Sequence, residues 1–146
     1  MNDFAPLSWL DMLGRLALAV ALGASIGMER ELSEKAAGLR TNMLVALGST
    51  LFILVPIQSG LAQQEPSALG RIIQGAITGV GFIGAGAILQ KNRIRGLTSA
   101  AAVWISASLG IGIGLGQWKL AMTGAGLALV ILRLMKLLEQ KITQNL

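Results

Sequence analysis

The stretch Gly27-Met-Glu-Arg-Glu-Leu-Ser-Glu-Lys-Ala-Ala-Gly-Leu-Arg-Thr-Asn42 decides how this chain folds. It holds six of the charged residues, three of each sign, and lies between two long apolar runs. A helix needs about 20 mostly apolar residues to cross the hydrocarbon of a bilayer. The cluster is therefore either a solvated connection between two membrane spans or the working face of the protein.

Composition supports the membrane reading. Of 146 residues, 53% are apolar and 13% charged, where soluble domains have about 25% charged. Mean hydropathy is +0.68, and residues 1–146 read as a single transmembrane domain. The N-terminus, Met-Asn-Asp-Phe-Ala-Pro, lacks the basic start of a cleaved signal peptide, so the first apolar run is expected to stay as a span. Cys and His are absent, which excludes disulfides, thiol chemistry, Cys/His zinc sites and His-based catalysis. Any metal would be a hard cation on carboxylates and carbonyls. Glu29, Glu31 and Glu34 are the candidates, but they stand beside Arg30 and Lys35 and read as self-neutralised. No metal and no cofactor is expected. Without a nucleophile–base pair, neither is enzyme activity. The net charge of +5 comes without a basic stripe interleaved with aromatics, so nucleic acid is not an expected partner.

Working outward, five helical spans are predicted at about 10–28, 41–57, 71–89, 97–116 and 120–138. In the first, Asp11 and Arg15 are spaced to meet on one helical face. They read either as a local ion pair or, with Arg15 in a polar cavity, as a site facing the bundle interior. Gly23 and Gly27 form a small-xxx-small pair suited to close helix approach. Thr41 or Asn42 is placed to cap the second span, and Pro56 with Gln58–Gly70 reads as a loop. The third span contains Gly75, Gly79, Gly81, Gly84 and Gly86. Its literal G-x-G-x-x-G lacks the preceding strand that a dinucleotide site requires. Gly75 and Gly79 are expected to pack helices, with a hinge or broken helix around Gly81 and Gly84 as the functional alternative. Thr98 or Ser99 is the expected cap of the fourth span. The alternating glycines at 110–116 imply a closely packed or partly unwound end. Arg133 and Lys136 mark where the fifth span meets water.

Orientation follows from Lys and Arg. Arg30, Lys35, Arg40, Lys91, Arg93, Arg95, Arg133, Lys136 and Lys141 fall on one side; Arg15, Arg71 and Lys119 fall on the other. The richer side should be cytoplasmic, with the N-terminus outside and the C-terminus inside. Gly38-Leu-Arg-Thr and Gly96-Leu-Thr-Ser both follow a charged loop and open a span. That echo is either chance or a parallel repeat of a helix pair. In a repeat, two helix N-termini with Arg40 and Arg95 nearby could hold an anion or an acidic segment.

Five stretches together carry a resemblance: Ile26-Gly-Met-Glu-Arg-Glu31, Ala37-Gly-Leu-Arg-Thr-Asn-Met-Leu-Val-Ala-Leu-Gly48, Gly79-Val-Gly-Phe-Ile-Gly-Ala-Gly86, Arg95-Gly-Leu-Thr-Ser-Ala-Ala-Ala-Val-Trp104 and Gly114-Leu-Gly-Gln-Trp-Lys119. In this order they resemble the MgtC/SapB family of bacterial inner-membrane proteins, from about Arg15 to Arg133. The resemblance implies about five spans and an outside N-terminus. It also implies a role in magnesium limitation and virulence, exerted by restraining the F-type ATP synthase and so altering ATP level and membrane potential. A short form is expected, without the ACT-like cytoplasmic domain of the virulence-associated members. Ser99 stands where Thr is usual. Two classes of function are weighed: a regulator acting through membrane-protein contacts, as a homodimer or on another complex, and an ion or small-solute channel or transporter. The candidate functional residues are Asp11, Arg15, Glu29, Arg30, Gly38, Arg40, Thr41, Asn42, Gly81, Gly84, Arg95, Thr98 and Ser99.

Overall fold

The computed structural model describes the backbone of residues 4–90, 93–94 and 96–144, and the side chains of 4–88 and 96–134. Helix α1 spans Trp9–Leu32. It starts at Ser8, whose Oγ accepts the Asp11 amide at 3.2 Å and donates to the Asp11 carboxylate at 2.7 Å. This reciprocal cap satisfies orphan donors of the first turn and sets an acid against the positive end of the helix dipole. Helix α2 (Leu39–Gln58) runs back, carrying Pro56 within its last turn. A short α3 (Leu61–Gln64) leads into α4 (Pro66–Ile88). Pro66 suits the first helical position, where a missing N–H costs nothing. The segment expected to be loop is thus largely helical.

At the far end of α4, β1 (Leu89–Gln90) and β2 (Arg93–Ile94) pair antiparallel before α5 (Leu97–Gly114). Gly96, at φ +86°, forms that junction. Helix α5 ends in a turn whose left-handed residue is Gly116, at φ +80°. Gln117 N–H donates to the Gly112 carbonyl at 2.8 Å and Gly116 N–H to Ile113 at 2.9 Å, the paired bonds that close a helix C-terminus on glycine. Helix α6 (Trp118–Gln144) follows at once.

Among the described residues, α1, α2, α4 and α5 are long and apolar enough to cross a membrane. The helices alternate in direction, so the bundle has two ends. One, the loop end, carries residues 33–38 and the β1–β2 hairpin. The other carries Ser8, the short α3 and the α5–α6 turn. Packing is inverted relative to a soluble domain. Among the described residues, eleven of the twenty buried hydrophobic ones are alanines, while Phe52, Val55, Phe82, Leu127 and Ile131 face outward. Lipid tails are as apolar as Leu, so burying large side chains drives little association; small residues that let backbones touch do more.

Helix α5 lies at the centre, against α2 and α1, which also pack on each other, with α4 and α6 flanking it. One apolar cluster joins Ala19 and Ile26 of α1, Leu109 and Ile113 of α5, and Ala121, Ala125 and Ala128 of α6. A second joins Val80 of α4 to Val103 and Ala107 of α5. A third closes the end opposite the loops around Ile53, Ile57 and Leu69. There the N-terminal segment is tied down by Gln58, which accepts from Leu7 N–H at 2.8 Å and donates to the Leu7 carbonyl at 2.9 Å.

Candidate functional site

The polar interior gathers at the loop end of α1, α2 and α5, and close backbone approach creates it. A Cβ on Gly23 would lie 2.7 Å from the Asn42 carbonyl oxygen, and one on Gly27 would lie 2.7 Å from Leu39 Cα. Both positions therefore admit only hydrogen, and α1 is pressed onto the start of α2. Across the other face of α2, Gly114 sits against Ile53, where a Cβ would meet the Ile53 Cβ at 2.6 Å. Gly110 sits just as tightly on the Ala46 carbonyl.

Two polar ties bridge this seam. Asn42, fully buried, donates through Nδ2 to the carbonyls of Ala37 at 2.9 Å and Gly38 at 2.8 Å. Its Oδ1 accepts from Ser106 Oγ on α5 at 2.8 Å. Two turns further along, the buried Thr50 hydroxyl lies 3.0 Å from the Ala46 carbonyl and 2.9 Å from the Gly110 carbonyl. In hydrocarbon an unmade hydrogen bond has no water to fall back on, so such ties fix the register of two helices.

In its last turns α1 buries an ion pair between sequence neighbours. Glu29 is 5% exposed and Arg30 3%. Glu29 Oε2 accepts from Arg30 Nε at 2.6 Å and lies 2.5 Å from Nη2, while Oε1 accepts from Ser33 Oγ at 2.9 Å. Adjacent residues on a helix do not normally face each other, so the guanidinium has to fold back along the last turn. Among the described residues its Nη1 is buried without a hydrogen-bond partner. Glu31 acts separately. Its carboxylate accepts Leu39 N–H at 3.0 Å and caps the start of α2, where Gly38 has no side chain to do so.

The structure therefore buries Glu29, Arg30 and Asn42 at this end, with Gly38 tied to Asn42, and Ser99 is 1% exposed in the first turn of α5. Arg40 and Thr98 are exposed and Thr41 half-buried, apart from that core. Arg95 lies outside the described residues, and with it the expected juxtaposition of Arg40 and Arg95. Two cap assignments need correction. Gly38 and Gly96, not Thr41, Asn42, Thr98 or Ser99, precede the first helical residues. Asn42 acts one turn inside α2, reaching back to the loop. An anion at the α2 N-terminus is likewise displaced, because the chain's own Glu31 occupies it.

The expected Asp11–Arg15 pair does not form. Asp11 is committed to the Ser8 cap, and Arg15 Nη1 donates to the Gly114 carbonyl at 2.6 Å. That carbonyl ends α5 and has no helical partner. Within the chain, Gly75, Gly79 and Gly81 touch no neighbouring helix; each would admit a Cβ into open space. Only Gly84 of that set is at a helix contact, its Cβ position 3.5 Å from Ala100 Cβ. Helix α4 is continuous, so the broken-helix alternative fails and the G-x-G-x-x-G has no turn to make.

Sequence reasoning does not single out Thr50, Ser106, Gly110 and Gly114 as site residues. The signal for them is the recurrence of small or polar residues at helical spacing along one face: Asn42, Ala46, Ser49, Thr50 and Ile53 on α2, and Ser99, Ser106 and Gly110 on α5.

Residues 16–141 match the MgtC family. SrpB of Synechococcus elongatus is 44% identical over 90% of this chain and 79% of its own length. YhiD of Escherichia coli K12, by name a proposed magnesium transporter, is 42% identical over 81% of this chain and 57% of its own. MgtC of Salmonella typhimurium LT2 is 41% identical over 88% of this chain and 54% of its own. The chain thus spans little more than half the length of the last two. No solved structure matches it. Four apolar helices and these relatives together describe a membrane protein, and the chain belongs to the MgtC family.

Proposed function

We propose that this protein is a non-enzymatic regulator of the bacterial inner membrane, acting through contacts with other membrane proteins and with a second copy of itself. In this reading α6 is the fifth span, the loop end is cytoplasmic and the N-terminus is outside, as the distribution of Lys and Arg favours. The observation that carries the proposal is the sealed seam at the centre of the bundle. Asn42, Thr50 and Ser106 have no exposed surface, and Gly110 and Gly114 hold α5 against α2 too closely for one added carbon. A conduit for solute needs polar groups facing a space; these face each other. Among the described residues, no group of three or more acidic side chains is placed to hold a metal ion.

Helix α4, by contrast, offers a surface. Gly75 and Gly79 open onto empty space and Phe82 is 84% exposed. Small residues beside a projecting aromatic suit helix-to-helix association in a bilayer. The resemblance makes the F-type ATP synthase the first partner to test, and magnesium limitation the condition in which to test it.

The name of YhiD supports the competing reading, transport, so the experiment must separate the two. Purified protein in sealed liposomes is expected to pass no Mg²⁺ and no small ion above protein-free vesicles. Flux abolished by Glu29→Ala or Arg15→Ala would sink the regulator reading. Since the chain has no Cys, Gly75→Cys is expected to crosslink two copies in native membranes.

A further inference from the structure

The end of the bundle opposite the loops carries a recess that the regulator reading does not use. It has a volume of about 390 Å³ and is lined by Asp11, Arg15, Leu18, Ile113, Gly116 and Trp118 among others. Ligand sites begin at about 300 Å³ and combine apolar walls with a few placed polar groups. Here the polar groups are one carboxylate and one guanidinium, one helical turn apart on α1. Among the described residues no ion pair joins them.

Each is held in place by something other than its charged neighbour. Asp11 is fixed by the Ser8 hydroxyl at 2.7 Å, and Arg15 by the Gly114 carbonyl at 2.6 Å. A guanidinium has five donors, so the Gly114 bond leaves others for a ligand. Gly116 keeps that face open: a Cβ there would lie 3.2 Å from Arg15 Nη2. The recess therefore presents a preformed positive and negative point side by side against apolar walls.

Its surroundings locate it in the headgroup layer. Trp9 is 68% exposed and Trp118 50%, both at this end, and indoles of this kind favour the membrane–water interface. Lys119 Nζ lies 5.4 Å from the Trp118 ring, adding a cation at the rim.

We propose that this recess binds a phosphoethanolamine headgroup, its phosphate on the Arg15 guanidinium and its primary ammonium on the Asp11 carboxylate. Charge decides against the other common headgroups. A glycerol headgroup offers Arg15 the same phosphate but brings no N–H cation to the Asp11 carboxylate, which keeps only Lys119 at the rim as counter-charge. A choline headgroup has no N–H to donate to the carboxylate, and charge-assisted hydrogen bonds are the strong ones. A phosphate with a primary ammonium matches both points, each charge on α1 meeting its complement. A bilayer lipid and a soluble glycerophosphoethanolamine carry this headgroup alike, and the chemistry of recognition is the same for both.

The test is native mass spectrometry of delipidated full-length protein with an equimolar mixture of phosphatidylethanolamine, phosphatidylglycerol and phosphatidylcholine of identical acyl chains. The ethanolamine lipid is expected to be retained about tenfold or more over either competitor, a difference of about 1.4 kcal/mol. Asp11→Asn, which keeps an oxygen for the Ser8 cap, is expected to reduce that preference to within about twofold. Binding of glycerophosphoethanolamine in detergent, without retention of the lipid, assigns the site to the soluble headgroup and supports the same chemistry. Equal retention of all three lipids with no binding of the soluble headgroup overturns the proposal, as does a preference that survives Asp11→Asn. Thermal unfolding of the variant shows whether it folds; if it does not, the competition on the unaltered protein decides alone.

Discussion

The glycines of α5 make the sharpest prediction, because neighbours two residues apart should respond in opposite directions. A methyl group added at Gly110 meets the Ala46 carbonyl oxygen head-on, with Ser49 Cβ at 2.9 Å and Ala46 C at 3.0 Å. Favourable carbon–carbon contact needs about 3.5–4.0 Å, so α2 and α5 must part by roughly 1 Å. Parting also stretches the 2.9 Å bond from Thr50 Oγ1 to the Gly110 carbonyl. Overpacking of this kind costs about 1–3 kcal/mol and a lost hydrogen bond about 0.5–1.5 kcal/mol, so Gly110→Ala should destabilise by about 2–4 kcal/mol. At Gly112 an added methyl meets only Ala121 Cβ, at an ordinary 3.7 Å. Gly112→Ala should therefore be neutral or stabilising by up to about 1 kcal/mol, the gain in helix propensity. Reversible unfolding in mixed micelles of dodecyl maltoside and SDS, followed by tryptophan fluorescence (Trp9, Trp104 and Trp118), measures both. Equal stability of Gly110→Ala and the unaltered protein, or equal damage at the two positions, would refute the reasoning about this seam.

Three further outcomes follow from the polar groups. Glu29→Gln leaves the Arg30 charge buried and unbalanced and should cost about 3–5 kcal/mol, whereas Glu29→Leu with Arg30→Leu should cost less, both read from the same unfolding curves. Asn42→Leu and Ser106→Ala, combined in a double-mutant cycle, should show a coupling of about 0.5–3 kcal/mol through their 2.8 Å bond; additive effects would mean that the bond contributes nothing. At the end opposite the loops, the hydrogen bond from Arg71, with help from Ser67, holds the exposed Glu65 carboxyl below the ordinary carboxylate range. Its folded pKa lies under its unfolded one, so whatever this group contributes is present above the ordinary carboxylate value and is lost as pH falls through the depressed one. Carboxyl ¹³C NMR should show Glu65 titrating higher in Arg71→Gln, and an unchanged midpoint would remove Arg71 as the cause.

Much of the architecture was legible because hydrocarbon imposes a coarse code. Length and hydropathy place the first, second and fourth spans within a few residues of α1, α2 and α5, and the Gly23/Gly27 spacing points to the close contact that Gly27 makes with Leu39. The segment at 58–70 reads as loop because Pro at the first turn of a helix looks, in sequence, like Pro in a loop; Pro66 starts α4. Caps fail for a related reason. Thr41, Asn42, Thr98 and Ser99 are good capping residues, but glycine can hold that position when a distant carboxylate such as Glu31 supplies the missing acceptor. The glycines are legible as a class and not as individuals. Helical spacing puts Gly110 and Gly114 on one face and Gly112 on another, but it does not say which face meets α2; that depends on the rotation of α5, which tertiary packing sets. The Asp11–Arg15 pair fails by competition, since both partners have nearer or less solvated alternatives in Ser8 and the Gly114 carbonyl.

The charges around Glu29 at the loop end and around Asp11 at the other end are held in opposite ways, and the difference bears on what each group can do. At the loop end, carboxylates meet the chain's own donors: Glu29 takes Arg30 and Ser33, and Glu31 takes the α2 N-terminus. Groups so matched hold one conformation and recognise little beyond it, so substitutions there should act first on stability and only through it on function. At the other end, Asp11 and Arg15 are anchored but not matched, and they face a recess. An anchored, unmatched charge costs free energy in the free protein and regains it when a complementary group arrives, which is the energetic pattern of a binding site and not of a structural pair. Stability should therefore be more sensitive to Glu29 than to Asp11, and lipid selectivity more sensitive to Asp11 than to Glu29. That crossed pattern separates the two ends by measurement: a single variant that moved stability and selectivity together at both ends would show that the bundle responds as one body and that the division between its ends is false.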